Sequence, residues 1–380
     1  MELIPRTKNV VDGNEDLLTL HNLKNFPVFM GCINHESDND LRADMSWAIS
    51  RNTGVIQLKS LIPLNILYQS EHDSGVIGNI WLQHHQEFAT FIQKFRPESI
   101  LEIGGAHGIL SREYRKENYI DWSILEPNPS PAEGVDATFI KGFFDDKFTF
   151  DKNVDTIVHS HLFEHVYYPD KFINHISRFL SEGQNLIFSL PNMEEMLKRN
   201  YTNCLNFEHT VFITEPYIEF FLSKYGFRLI EKKYFKDDHS IFYAYVKDKK
   251  IKKTDLPKML YEHNKKIFLD YIHYHQKLIS DLNIKISNTK INQPIYLFGA
   301  HVFAQSLIQF GLNTSRIINL LDNDINKQDL RLYGTNLEVK SPKILAKIKN
   351  PIVIMKAGIY NNEIIEDILK NINSNTIFWD

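Results

Sequence analysis

Ser99 to Gly108 reads S-I-L-E-I-G-G-A-H-G, and the fold is read outward from it. Ile100, Leu101 and Ile103 are the branched apolar residues that fill a strand buried on both faces of a parallel sheet. Gly104, Gly105 and Gly108 follow, and then a stretch of helical character, Ile109 to Lys116. Strand, glycine turn and helix in succession make a ligand crevice at the carboxyl ends of an α/β sheet. Glycine suits the turn because it has no Cβ to obstruct it or an approaching ligand. A second apolar run, Trp122 to Leu125, ends at Glu126-Pro127. That is roughly 20 residues past the turn, the interval at which a carboxylate receives ribose hydroxyls.

Glu102 within the first stretch, the lack of a complete G-x-G-x-x-G and the later H-L-F-E-H element favour S-adenosylmethionine over NAD. E-I-G-G-A-H-G resembles the first motif of class I methyltransferases, E-x-G-x-x-x-G, through Glu102, Gly104 and Gly108. The resemblance implies a Rossmann-like seven-stranded α/β sheet. It assigns Glu102, Gly104, Gly105, Gly108, Glu126 and Pro127 to the cofactor, with Gly104 and Gly108 shaping the methionine pocket and Glu126 holding the adenosine ribose. A tight turn in some other α/β domain is the competing reading.

The downstream pattern supplies the remaining strands. Ala137 to Lys141 reads as a third strand ending at Gly142-Phe143-Phe144-Asp145, where Phe143 or Phe144 stacks on adenine or fills the core. Val154 to Val158 is the fourth, followed by His159-Ser-His-Leu-Phe-Glu-His165. This turn resembles the fourth class I motif, which places Ser160, His161 and Leu162 beside the methionine end. Glu164 and His165 are expected to orient the next helix. Three histidines at H-x-H-x-x-x-H on a strand-to-helix turn do not share one face, so no metal is expected. Phe172 to Leu180 reads as a helix, and strands follow at Asn185 to Leu190, Arg228 to Phe235 and Ile241 to Val246.

At 380 residues the chain suggests two or three domains. Hydrophobic residues at 43% and charged ones at 24% describe an ordinary globular composition. A net charge of -4 gives no general attraction to nucleic acid or an anionic membrane. Two cysteines are too few for a disulfide framework and suit a reducing cytosol. With no apolar signal core at the start and no membrane-length run, the expected location is cytoplasmic. Oligomeric state stays open.

The flanks extend the reading. Trp81 to Phe95 has an apolar helical stripe leading into the central strand, and Thr254 to Leu282 a second one, with Leu256, Leu260, Ile267, Tyr271, Leu278 and Leu282 facing the core. Pro294 to Ala304 repeats strand, glycine turn and helix, and Ile317 to Leu321 ends at Asp322. The order of small lobe (1–95), methyltransferase core (96–248), linking helix (249–288) and second, smaller Rossmann-like unit (289–380) resembles the bacterial sugar C-methyltransferases. In that family the lobe holds zinc on two cysteine pairs. Asn9 and Asp12, then Ser50 and Thr53, stand at those positions here, and without a thiolate no zinc of that type is expected.

The same resemblance implies the site. Tyr68 and His72 lie in a stretch that reaches the active site, or are ordinary loop residues. Asn206-Phe207-Glu208-His209 keeps the Glu-His half of the family's base-bearing run. A histidine near neutral pKa can take an acceptor's proton, so His209 is the candidate base with Glu208 orienting it. A structural, hydrogen-bonded histidine is the alternative. His239 is a second base candidate. Asn192 and Ser240 are assigned to the acceptor, and Gly299, Ala300 and Asp322 to the unit covering it. The implied activity is S-adenosylmethionine-dependent C- or O-methylation of a small polar acceptor, a nucleotide-activated sugar. A non-catalytic binding protein and an NAD(P)-linked oxidoreductase using the Gly299 turn are the alternatives.

Overall fold

The computed structural model describes residues 1–68, 78–116 and 119–380; His72 lies outside them. An N-terminal lobe is built on three antiparallel strands, β1 (Leu17–Pro27), β2 (Arg42–Ser50) and β3 (Ile56–Leu58). The four positions aligned with cysteines converge on a hydrogen-bond net. Asn9 Nδ2 donates to Asp12 at 2.6 Å and Asp16 at 2.8 Å, Ser50 Oγ donates to Asp16 at 2.7 Å, and the Thr53 amide donates to Ser50 at 3.0 Å. Burial pushes the Asp16 carboxyl up, but hydrogen bonds from Ser50, the Asn52 amide and Asn9 outweigh it and hold it low.

Helix α1 (Asn79–Gln93) then packs Phe88, Phe91 and Ile92 against Ile100, Trp122 and Phe242. The sheet beneath it contains β4 (Ser99–Ile103), β5 (Asp121–Glu126), β6 (Thr138–Lys141), β7 (Thr156–Ser160), β8 (Asn185–Pro191), β9 (Phe227–Phe235) and β10 (Ser240–Lys247). Their spatial order is β9-β10-β8-β7-β4-β5-β6, with β10 antiparallel to both neighbours. This is the class I methyltransferase arrangement. Helix α2 (Ile109–Arg115) follows the glycine turn, and α3 (Pro169–Phe179) and α5 (Glu215–Lys224) cover the face opposite α1, burying Ile173, Ile176, Tyr217 and Phe221 against Leu101 and Ile157. Both faces are covered, which is why the central strands read as continuous apolar runs. A short α4 (Met193–Lys198) follows β8. The order reverses around β4, so the crevice opens at its carboxyl end.

Helix α6 (Leu260–Asn288) begins six residues later than the periodicity predicts. Pro257 and the left-handed Met259 (φ 77°) delay it. Its buried stripe is Phe268, Tyr271, Ile272, Ile279, Leu282 and Ile286, whereas Ile267 and Leu278 are only half-buried. The shift arises because the helix serves two cores in turn: Phe268, Tyr271 and Ile272 pack with the lobe, and Ile279, Leu282 and Ile286 with the C-terminal unit.

That unit is an all-parallel sheet of β11 (Ile295–Phe298), β12 (Ile317–Leu321), β13 (Val339–Lys340), β14 (Ile352–Ile354) and β15 (Ile377–Trp379), with α7 (Val302–Gln309) after its own glycine turn. The spatial order is β13-β12-β11-β14-β15. Cys32–Ile33 pairs with Arg331–Leu332, and Arg331 grips Asp40 through two bonds of 2.7 Å, tying lobe to C-terminal unit. The seven-stranded sheet's domain meets the C-terminal unit through contacts of Thr202, Tyr201 and Trp81. Thr202 Oγ1 donates to the Lys356 carbonyl at 2.8 Å, the Tyr201 ring lies against Gly358, and Trp81 hydrogen-bonds Tyr360. Among the described residues no helix is long and apolar enough to cross a membrane.

Candidate active site

The glycine turn is built from below. A Cβ on Gly105 would stand 2.7 Å from Ile124 and 2.8 Å from the Glu102 carboxyl carbon. Gly108, at φ 74°, opens α2, and a Cβ there would meet Val135 at 2.7 Å. Glu102, expected among the cofactor residues, lies under the turn. Its carboxylate is buried and accepts from the Trp122 indole at 2.8 Å. Burial pushes its pKa up to about 7, against the Trp122 hydrogen bond. An even-numbered strand residue beside Ile100 faces α1, not the crevice, and the period-two alternation fixes that.

Glu126 stands at the tip of β5 with Pro127 after it. Its two carboxylate oxygens accept from the Ala106 amide in the glycine turn and from the Asn128 amide, each at 3.1 Å. The Gly142 amide donates to the Glu126 carbonyl at 3.1 Å, which brings the end of β6 alongside. The two phenylalanines there divide: Phe143 is 39% exposed, while Phe144 packs on Phe148, Phe172 and Phe179.

At the end of β7 the three histidines separate. His159 turns into the core and stacks on Phe188 at 4.8 Å. Ser160 Oγ pairs with Ser189 Oγ at 2.8 Å, and Leu162 lies beneath Gly104. His161, in left-handed backbone (φ 49°), sets Nε2 2.8 Å from Ser240 Oγ and Nδ1 3.6 Å from Glu164. Ser240 also meets His239 Nδ1 at 2.5 Å. The rings of His161 and His239 flank Trp81 at 4.8 and 4.9 Å, with His84 beside them. Burial holds His161 and His84 well below the ordinary histidine range and His239 at about 4, so this group is neutral at pH 7.

His209 arrives from a remote segment, and the backbone explains how. The Thr210 amide donates to the Glu164 carbonyl at 3.0 Å, and Thr210 Oγ1 to the Val166 carbonyl at 3.0 Å. Asn206 Oδ1 accepts from the amides of Glu208 and His209 at 2.9 and 2.8 Å, shaping the turn that presents both. His209 Nδ1 lies 2.9 Å from the Cys204 carbonyl. A carbonyl only accepts, so Nδ1 carries the proton and Nε2 the lone pair. Burial lowers the His209 pKa, opposed by that carbonyl and by Glu208. His165 Nδ1 faces Glu208 at 3.6 Å and the Tyr68 hydroxyl at 3.3 Å, and its Nε2 faces Glu164 at 3.8 Å. The Tyr68 carbonyl accepts from Asn128, next to Glu126, so Tyr68 spans the two halves of the crevice. Burial, then Glu208, drives its hydroxyl pKa well up, and it stays protonated.

Besides Ser240, which lies against His161 and His239, the acceptor candidates are Asn192, Gly299, Ala300 and Asp322. Asn192 spends its amide on the Asp237 carbonyl (2.8 Å) and the Glu195 amide (3.5 Å) at the start of α4. It lines a separate cavity of about 390 Å³ with Thr214, Glu215, Tyr234 and Asp237. Gly299 and Ala300 sit at the end of β11, and Asp322 accepts from the Ala300 and Asp324 amides at 2.9 Å each, closing its own turn. The Gly299 turn packs on Phe303, which meets Tyr360, the partner of Trp81. Sequence reading left Glu164, His165, Trp81 and His84 out of the site. The E-H pair at 164–165 was visible, but its meeting with residue 209 depends on the Thr210 bonds.

Residues 79–232 match the family described as "Methyltransferase domain". No curated protein matches the chain. Among solved structures, an S-adenosylmethionine-dependent methyltransferase from Mesorhizobium loti is 13% identical over 43% of this chain and 99% of its own, at a TM-score of 0.35. Magnesium protoporphyrin IX methyltransferase from Synechocystis PCC 6803, solved with bound SAH, is 12% identical over 46% of this chain and 90% of its own, at 0.36. A possible histamine N-methyltransferase from Thermotoga maritima is 18% identical over 43% and 89%, at 0.35.

Proposed function

We propose that this chain, an S-adenosylmethionine-dependent methyltransferase, methylates an oxygen or an acidified carbon of a small polar acceptor, a nucleotide-activated sugar. One observation carries the reading. A carboxylate suited to ribose, Glu126, and an imidazole with its lone pair on Nε2, His209, lie on the carboxyl-end side of one sheet, and Tyr68 links Asn128, beside Glu126, to His165, whose ring lies 5.5 Å from that of His209. Gly104, Gly105 and Gly108 bare the backbone beneath the methionine arm, with Ser160, His161 and Leu162 beside it and Phe143 at the adenine. The cofactor supplies the electrophilic methyl; the protein holds acceptor and sulfonium in line and removes the acceptor's proton.

His209 Nε2 takes that proton, Glu208 faces the histidine pair and stabilises positive charge there, and His239 with Ser240 orients the far side of the acceptor. A hydroxyl acceptor needs only this base, whereas a carbon acceptor also needs its enolate oxygen stabilised. The polar wall of Tyr68, His161, Glu208, His209 and Ser240 suits a polyhydroxylated acceptor, and the sugar assignment rests further on the family resemblance of the domain order. The C-terminal loops bearing Gly299, Ala300 and Asp322 are the lid over its nucleotide. His209→Ala should lower turnover by at least about a hundredfold while S-adenosylhomocysteine affinity is kept. Labelled-methyl uptake across a set of nucleotide sugars, beside calorimetry with S-adenosylmethionine and NADH, tests the whole reading. Tight sulfonium binding without uptake by any sugar points to a non-catalytic binding protein, and NADH binding alone overturns the cofactor assignment.

A further inference from the structure

We propose that Glu164, His165 and His209 form a binding site for one divalent transition-metal ion of the zinc class. One ligand atom from each lies within 4.8 Å of the other two. Metal–nitrogen bonds of about 2.0–2.1 Å require these atoms to close by roughly an ångström, within the reach of side-chain rotation. The site is built on short, fixed turns: Phe163–His165 is a single helical turn, and Asn206 locks residues 208 and 209.

A second observation points to a cation independently. The Glu164 carboxylate is fully buried, and among the described residues neither oxygen has a hydrogen-bond partner. A carboxylate buried without partners is strongly disfavoured unless it is neutralised or paired with a cation. Two imidazole nitrogens lie near it, His161 Nδ1 at 3.6 Å and His165 Nε2 at 3.8 Å. In its ionised form the carboxylate lacks a positive partner, and an ion held together with the ligand atoms of His165 and His209 supplies one.

The imidazoles are oriented as metal ligands are. Ligating histidines present one nitrogen to the ion and donate the other N–H to a carbonyl or carboxylate. His209 donates Nδ1–H to the Cys204 carbonyl, and His165 has Nδ1 3.3 Å from the Tyr68 hydroxyl and 3.6 Å from Glu208, with Nε2 3.8 Å from Glu164. Two nitrogens and one oxygen form a borderline donor set that suits Zn²⁺, Co²⁺ or Fe²⁺ over Mg²⁺ or Ca²⁺, and three protein ligands leave a coordination position open. Sequence spacing excluded a site built from His159, His161 and His165. It could not anticipate one completed by residue 209.

Cobalt(II) is the probe, added to the chelator-treated full-length protein at pH 7.5. The expected result is one equivalent bound by calorimetry, with visible absorption bands of a low-symmetry Co²⁺ site. Glu164→Gln and His209→Asn should weaken binding by at least about a hundredfold, and Glu208→Gln, one shell out, by about 10–100-fold. His263→Ala, on the surface of α6, should bind as the unaltered chain does. X-ray absorption of the zinc-loaded unaltered protein should show two imidazole nitrogens and at least one oxygen. No saturable cobalt binding, unchanged affinity in the Glu164 and His209 variants, or fewer than two imidazoles at zinc each overturns the site, the last irrespective of whether any variant folds. An ion here also takes the Nε2 lone pair, so cobalt loading should suppress methyl transfer. That consequence alone rests on His209 as the base. S-adenosylhomocysteine binding without cobalt binding fails the metal site only, and cobalt binding without S-adenosylhomocysteine binding fails the methyltransferase reading only.

Discussion

Single carboxylates carry much of the chemistry, and their environments assign them different tasks. Glu126 offers its oxygens to backbone amides at the crevice, so Glu126→Ala should weaken S-adenosylhomocysteine binding by roughly 1.5–3 kcal/mol, the range for hydrogen bonds to a charged group, with the fold intact. Calorimetry reads this directly, and unchanged affinity would remove Glu126 from the ribose. Glu102 is a different case. Its folded pKa of about 7 lies above the ordinary carboxylate value, so the folded state favours its protonated form. Stability from this group is therefore present below about pH 4.5 and is lost as pH rises toward 7. Glu102→Gln keeps an acceptor for Trp122 without the charge. Its melting temperature relative to that of the unaltered chain should rise between pH 5 and pH 8, by an amount corresponding to a few kcal/mol. Parallel curves would show that Glu102 does not ionise in this interval.

Among the elements, α6 shows how a helix can be recognised while its register is not. Apolar periodicity announced it, but each stripe residue depends on which core the helix crosses at that point. Its first turn lies over Gly54, where a Cβ would stand 2.5 Å from the Leu260 carbonyl carbon, and Gly54 holds φ 71°. Asn264 then donates to the Gly54 carbonyl at 2.9 Å and to Tyr217 at 3.0 Å, joining lobe, helix and α5. Gly54→Ala combines left-handed strain with overpacking and should cost at least about 1–3 kcal/mol. Thermal unfolding measures it, and a melting temperature within a degree of the unaltered protein would mean the helix start moves freely.

Across the whole molecule, buried neutral histidines set the acid limit. His85, His239 and His275 are held near pKa 4, His159 near 3 and His84 lower than its ordinary range, in each case chiefly by burial. The unfolded chain binds protons below about pH 6.5 where the folded one does not, so stability falls from there toward pH 4. The raised carboxyls Glu102 and Glu164 act oppositely, losing stability as pH rises from about 4.5 toward about 7 and about 8. With these histidines, and His161 and His209 lowered in the same way, outnumbering the two raised carboxyls, maximum stability is expected near pH 6.5–7. A melting series from pH 4.5 to 8.5 checks this, and a monotonic rise through pH 8.5 would contradict the two carboxyls' placement.

The sequence determined the sheet. Runs such as Ser99 to Ile103 and Trp122 to Leu125 have one stable use, burial between two helical layers, and the glycines after the first allow one kind of turn. Local chemistry also marked Glu126, since its distance from the turn follows from the length of one strand–helix–strand unit. Tertiary structure alone decided which side chains share the crevice. Glu102 went under the turn because strand alternation faced it to α1; Asn192 bonds the remote Asp237 carbonyl and Asp322 the remote Ala300 amide; and Glu164, His165 and His209 met because Thr210 stitches together two segments over forty residues apart. Hydrogen bonds between remote segments leave no periodic trace along the chain, so residues they assemble become visible only when it is folded.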